Sequence, residues 1–412
     1  MRRLICLLAF MLPVLSCSVK EKEIYVPKDL QGMDLNNPES EYCYERMALS
    51  ENFAIFWEKG FGNDLATAPA LEGQDMTIDL EKLKIKLEEF YDYFYNTLGF
   101  AKKGSKADKY RMLVMLRYSL EGTAYGGDYD EQIGALWVTP GRLRDERLNC
   151  IAHELGHSFQ SQITCDGEGE AWGGHGFFEM TSQWMLWQVN PRWVEDESYH
   201  WDGFTSKCHK AYLHMTNIYH SPYILEFWGE KRGLDHIAEL YRQGKKGEDP
   251  AITYMRVNGL SQEEFCDEMY EASARIINLD YERAWNETRP YANKFSTSFT
   301  DGEDGWKHVA EEQCPEGLGF NAVPMPLPCK GETVIVEFKG CAVEGAGWRY
   351  GFVAVKENGH TVYGEMHKSS EGKISFTADD DLSHLWLVVM GAPKEYKMMS
   401  EDRYPYAIKA MK

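Results

Sequence analysis

The strongest constraint in this chain is the stretch Ile151 to Gln160 (IAHELGHSFQ), in which His153 and His157 stand four residues apart with Glu154 beside the first. On a helix, residues at that spacing leave the same face one turn apart, so the two imidazoles can share one tetrahedral ion. Glu154 can stand next to such an ion without being used as a ligand, which is where a general base for an activated water belongs. Leu148, Ile151, Ala152, Leu155 and Phe159 recur at three- and four-residue steps. That stripe predicts an amphipathic helix of about twenty residues starting near Arg144. Gly156 weakens it by only about 1 kcal/mol. The pattern points to a zinc hydrolase acting on peptide bonds. The competing reading is two surface histidines on an ordinary helix.

A third ligand is sought downstream. Cys165 to Gly176 holds Gly167, Gly169, Gly173 and Gly174, which breaks regular structure, and a second helix is predicted over Phe177 to Val189 (FFEMTSQWMLWQV), ending before Pro191. Glu179 falls in its first turn, in Trp-rich, largely buried surroundings. An ionised carboxylate there costs several kcal/mol unless it is paired or bound to a cation, and a metal partner accounts for it. His175, Asp166, Glu168 and Glu170 are the alternatives.

His153-Glu154-x-x-His157 followed by Glu179 resembles the gluzincin metallopeptidases, in which a glutamate on a second helix completes the zinc site. HELGHSFQ followed by FFEMTSQWM also resembles a poorly characterised family of secreted bacterial lipoproteins with a gluzincin core and a β-rich tail. The resemblance implies one zinc ion on His153, His157 and Glu179, with Glu154 taking a proton from water and passing it to the leaving amine. In thermolysin-like members an aspartate four residues past the third ligand orients a ligand histidine. Gln183 stands at that place here, and its amide oxygen can accept the same bond. A metzincin would need glycine and histidine where this chain has Gln160 and Ile163, so that class is excluded. Chemistry of this type also needs an oxyanion donor from a downstream Tyr or His. Among His209, His214, Tyr219, His220 and Tyr223, the expectation falls on Tyr219, His220 and Tyr223, where Pro222 opens a helix.

Composition narrows the partners. A net charge of -21 repels phosphate backbones and anionic membrane surfaces, which argues against nucleic acid. The N-terminus reads as an export signal: Arg2 and Arg3, then an apolar run from Leu4 to Leu15 that is too short to span a bilayer. Val14-Leu15-Ser16-Cys17 resembles the lipobox of bacterial lipoproteins. It implies a mature chain anchored by lipid on Cys17 at the outer membrane or cell surface, the alternative being cleavage near Ser16 to release a soluble protein. Without Cys6 and Cys17, eight cysteines remain, an even number that an exported protein can oxidise in pairings the sequence does not determine.

The expected organisation is α+β. Residues 1–16 form the signal, 17–40 a polar tether, 41–290 a gluzincin-like catalytic domain with a mixed sheet and then helices, and 291–412 an antiparallel, jelly-roll-like β-sandwich. Strands are predicted at Asn52 to Trp57, Tyr110 to Tyr118 and Ile133 to Thr139, with a loop through Gly122, Gly126 and Gly127 before the last. A strand just before the motif helix is where metallopeptidases of this kind hold an extended substrate by β-addition. Asn358-Gly359 predicts a type I′ hairpin. Trp306, Trp348, Tyr350, Tyr363 and Trp386 are candidates for stacking on sugar, core packing being the plainer role for most of them. The substrate expected is a peptide or glycoprotein outside the cell, with glycan a possible ligand of the sandwich. A non-catalytic surface protein that binds glycan or protein is the alternative, and a metal hydrolase of non-peptide amides or esters a third.

Overall fold

The computed structural model describes residues 21–170, 172 and 175–411. The expected leader, and Cys17 with the lipid expected on it, lie outside the described residues.

Five strands form the first sheet: β1 (Met47–Leu49), β2 (Phe53–Trp57), β3 (Met112–Leu116), β4 (Ala124–Tyr129) and β5 (Ile133–Val138). Their order is β1-β2-β3-β5-β4, with β2, β3 and β5 parallel and the two edge strands antiparallel. Every residue of β2 and β3 is buried, which is why FAIFW and MLVML read as unbroken apolar runs and not as an alternation. The predicted loop at Gly126 and Gly127 is in fact the edge strand, and β5 is enclosed between β3 and β4. Glycine is a poor strand former, so propensity hides this strand. Tertiary contact requires it, because a β-carbon on Gly126 would overlap the Glu154 carbonyl oxygen where β4 crosses the motif helix.

The motif helix runs Asn149–Cys165, starting later than the stripe suggests. Leu148 is left-handed (φ 55, ψ 44) and the Asp145 carboxylate accepts the Asn149 N–H at 2.7 Å, so the chain turns into the helix there. Ile151, Ala152, Leu155 and Phe159 are fully buried. Each large one among them stabilises the fold by roughly 1.5–3 kcal/mol. Ser158 Oγ donates to the Ala135 carbonyl at 2.7 Å and Gln162 Oε1 accepts the Gly134 N–H at 3.0 Å, pinning the helix to β5. The helix Leu80–Asp92, capped by Asp79, meets it through Tyr91 and the following Phe94, whose rings lie 5.2 and 5.6 Å from that of Phe159. The second helix, His175–Val189, packs against it so closely at Gly156 that a β-carbon there would press on Ser182.

Helices Tyr223–Arg232, His236–Gln243, Pro250–Asn258 and Gln262–Ile277 follow, the last opened by the expected Ser261/Glu264 capping box. Strands then take over: β6 (Phe299–Asp301), β7 (Lys307–Val309), β8 (Phe320–Pro324), β9 (Thr333–Gly340), β10 (Trp348–Lys356), β11 (Thr361–Tyr363), β12 (Glu371–Thr377), β13 (Leu382–Gly391) and β14 (Tyr406–Met411). They make two antiparallel sheets, β11-β10-β13-β8 and β12-β9-β14-β7-β6, and the chain crosses between them repeatedly, as a jelly-roll-like sandwich requires. Val336, Phe338, Tyr350, Leu387 and Tyr406 fill the space between the sheets. The other face of the four-stranded sheet, with Val353, Trp386 and Val388, joins the core of the helical half.

That docking corrects several expectations. Trp348, Tyr350 and Trp386 are buried, leaving Trp306, partly exposed, and Tyr363, exposed with its hydroxyl bonded to Asp280, as the candidate sugar platforms. At Asn358-Gly359 only the glycine has positive φ, and Lys356 N–H bonds to the His360 carbonyl at 2.9 Å. The hairpin therefore has a three-residue loop closed by a left-handed glycine instead of a type I′ turn. Cys43, Cys150, Cys165, Cys208, Cys266, Cys314, Cys329 and Cys341 are all free thiols.

Candidate metal centre

Two adjacent turns of the motif helix and the first turn of the next bring three donor atoms together. His153 Nε2 and His157 Nε2 each lie 3.2 Å from Glu179 Oε2. Donors held about 2.0–2.1 Å from one tetrahedral zinc are roughly 3.3 Å from each other, so the spacing fits that ion. The outer nitrogens are also occupied. His153 Nδ1 faces Gln183 Oε1 at 3.0 Å, and His157 Nδ1 faces Gln160 Oε1 at 3.2 Å. An amide oxygen only accepts, so both rings carry a proton on Nδ1; a neutral ring then turns an Nε2 lone pair to the shared point, and a protonated ring donates from Nε2 to Glu179.

The two glutamines are themselves fixed. Gln160 Nε2 donates to the Phe178 carbonyl at 3.0 Å and to Ser182 Oγ at 3.1 Å. Gln183 Nε2 donates to the Tyr219 carbonyl and to His200 Nε2, both at 3.1 Å, and His200 Nδ1 meets His220 Nδ1 at 2.8 Å. A polar chain thus runs from His153 back to His220.

Glu154 stands beside the cluster and not in it. Its Oε2 accepts the Gly126 N–H at 2.8 Å from the edge strand. Burial pushes its carboxyl above the usual range, against the pull of His153, His157 and the Gly126 N–H. Burial acts the same way on Glu179, but the hydrogen bonds from His153 and His157 outweigh it and hold that carboxyl well below the usual range. For His157, burial favours the neutral ring and the bond to Glu179 more than reverses it, so its pKa is raised.

The downstream candidates separate cleanly. Tyr219 lines the cleft with His153, Glu154 and Glu179, its ring centroid 6.1 Å from that of His153, and burial followed by the Glu179 charge raises its phenol. His220 does not line that cleft; burial and then His200 push it down to about 4. Tyr223 is fully buried among Trp187, Trp201 and Phe204, so its expected role is corrected to core packing. A helix opening at Pro222 turns its first residue inward, which spacing alone does not reveal. The alternative ligands are engaged elsewhere: Asp166 with Ser105 and the Lys106 N–H, Glu168 with Arg242, Glu170 with the Lys246 N–H. The His175 side chain lies outside the described residues. Gln160, His200 and Gly126 were not singled out for this support from the sequence. For Gln160 a signal exists, a glutamine one helical turn after the candidate ligand His157.

His214, Glu316 and Glu401 also gather within metal-ligand range of one another. The Thr216 N–H donates to His214 Nδ1 at 3.1 Å, which leaves the proton on Nε2, the atom that faces Glu401 at 3.3 Å. Glu316 is buried against Lys210 and the Ala211 N–H. Glu316 is thus taken up by its ion pair with Lys210, and His214 by its bonds to Thr216 and Glu401.

One family model, described as a family of unknown function (DUF6055), matches residues 16–411. No curated protein matches the chain. Among solved structures, the ZmpB metallopeptidase from Clostridium perfringens is similar over 85% of this chain and 66% of its own, at 11% identity and a TM-score of 0.32. The M60 catalytic domain of ZmpC from Clostridium perfringens, in complex with the sialyl T antigen, is similar over 89% and 70%, at 12% identity and 0.31. A family 22 carbohydrate-binding module of Clostridium thermocellum Xyn10B is similar over 28% of this chain and 78% of its own, at 9% identity and 0.20. Superpositions this loose carry no chemical argument, and the site has to speak for itself.

Proposed function

The chain belongs to the DUF6055 family, whose function is unknown, and from that premise we propose that it is a zinc-dependent peptidase with Glu154 as its general base. The observation that carries the reading is the meeting of His153 Nε2, His157 Nε2 and Glu179 Oε2 at 3.2 Å, with both Nδ1 atoms turned to amide oxygens. Zinc held there supplies Lewis acidity, activating water and polarising a carbonyl. Glu154, aimed by the Gly126 N–H, takes the proton released during attack and hands it to the leaving amine. A base whose pKa is raised by burial is better matched to returning that proton than a fully solvated carboxylate.

Tyr219 is the oxyanion donor of this reading, since among the three downstream candidates it alone lines the cleft. β4 supplies the substrate rail because it is an edge of the sheet, while its Gly126 N–H is kept for Glu154. Extended peptide backbone pairs with such an edge whatever its side chains. The substrates are proteins or glycoproteins outside the cell, in keeping with the apolar leader and Cys17, and intact mass of the mature N-terminus tests that placement. Metal analysis of the purified chain is expected to give one zinc per molecule, with peptide turnover that Glu154→Gln lowers about 10²–10⁴-fold while zinc stays bound. Absence of stoichiometric zinc, or undiminished turnover in that variant, rejects the reading.

A further inference from the structure

Beyond His157 the cleft opens into a second hollow of about 260 Å³, which shares Gly126, His157 and Phe178 with the metal centre. Its walls are three aromatic rings set nearly perpendicular to one another. Trp172 and Tyr241 lie 5.0 Å apart at 77°, Phe178 and Tyr241 5.5 Å apart at 77°, and Trp172 and Phe178 6.4 Å apart at 76°. Ile163 closes the side toward the motif helix.

The polar groups of these walls are used inward. The Trp172 indole N–H donates to Thr253 Oγ1 at 3.1 Å, the Gln160 amide is spent on His157, Phe178 and Ser182, and the Tyr241 hydroxyl is shut off from solvent. Ser161 and Thr164 stand with Glu170 among the remaining lining residues. A hollow built this way presents aromatic faces at depth and little to hydrogen-bond with, which suits an apolar ring and poorly suits a sugar.

Orientation follows from the edge strand. β4 begins at Ala124 beside the metal centre, passes Gly126 at the junction of the two hollows, and continues to Asp128, whose partner in register, Gly134, gives its N–H to Gln162 in the C-terminal half of the motif helix. A peptide added antiparallel to β4 keeps its amino-terminal half at the Asp128 end.

We propose that the Trp172, Phe178 and Tyr241 hollow is the subsite for the residue preceding the scissile bond, and that it selects aromatic or large aliphatic side chains. The inference rests on the peptidase reading and deepens it.

The test is mass-spectrometric mapping of cut sites made by the zinc-loaded full chain in a diverse peptide library. Phe, Tyr, Trp or Leu is expected before the cut with kcat/KM at least about tenfold above Ala or Gly. Ser161→Trp, which fills the hollow from its rim, is expected to erase that preference while cleavage before Ala or Gly persists. Phe178→Ala is expected to weaken it, and thermal melting with zinc content shows that each variant is folded. A flat profile, enrichment only after the cut, or a requirement for an O-linked sugar at that position overturns the subsite. Should no peptide be cut at all, the peptidase reading fails separately, and the hollow is then judged by direct binding of N-acetyl-phenylalanine. Binding that N-acetylglycine does not share and Ser161→Trp removes sustains it as an aromatic pocket, and absence of such binding overturns it.

Discussion

Gly126 gives its N–H to Oε2 of Glu154 at 2.8 Å, on a strand so close to the motif helix that a β-carbon at Gly126 would overlap the carbonyl oxygen of that same glutamate. One residue thus sets both the height of the sheet edge and the aim of the Glu154 carboxylate, the proposed base. Gly126→Ala is expected to lose about 1–3 kcal/mol of stability through overpacking. Displacing the base by even an ångström lowers turnover by about 10²-fold. Thermal melting and kcat check the pair of effects, and a variant with wild-type kcat would refute the coupling.

Gln183→Met removes the acceptor from His153 Nδ1 at nearly constant volume, and Gln160→Met does the same for His157. Each is expected to weaken zinc binding about 10–100-fold. Competition against a chelator of known affinity reads this directly, without any turnover measurement.

Tyr219→Phe deletes the one downstream hydroxyl that lines the cleft among the described residues and is expected to lower kcat by about 10²–10³ with KM little changed. Tyr223→Phe removes a buried hydroxyl that has no hydrogen-bond partner among the described residues and is expected to leave kcat as it was. Steady-state kinetics of the two variants side by side distinguish the residues.

Without metal, the ligands stabilise one another in a pH window whose edges follow from the signs of their shifts. Glu179 is held below its ordinary value near 4.5, so its contribution is complete above that pH and is lost as acid titrates it through its depressed folded value. His157 is raised above its ordinary value near 6.5, so its contribution is complete below that pH and is lost as pH rises through the raised folded value. Metal-free protein should gain most from this pair between about 4.5 and 6.5. Zinc must displace the His157 proton, so its affinity should fall on acidification and binding should release protons. Calorimetry in buffers of different ionisation enthalpy measures the release, and a proton count of zero at pH 6 would contradict the coupling.

Much of this site is legible in the sequence because it is local. His153, Glu154 and His157 lie within one helical turn and a half, so their shared face follows from 3.6-residue periodicity. Glu179 was reachable as a carboxylate misplaced in an apolar helix. The buried strands β2 and β3 announced themselves as apolar runs, and the Ser261/Glu264 box as a pattern of two residues. Tyr223 was misjudged because only the inward turn at Pro222 separates it from Tyr219, four residues away.

Sequence by itself determined the things that depend on neighbours within a few positions: the motif helix, the pairing of two imidazoles, the periodicity of the sandwich strands. Tertiary structure decided what depends on chains meeting from far apart. The edge strand at Gly126, the two glutamine acceptors, the burial of Trp348, Tyr350 and Trp386, and the aromatic hollow beside His157 all arise where segments tens of residues distant come into contact. Local propensity carries no record of those meetings, since a glycine reads as a loop and a tryptophan as a platform until something packs against it.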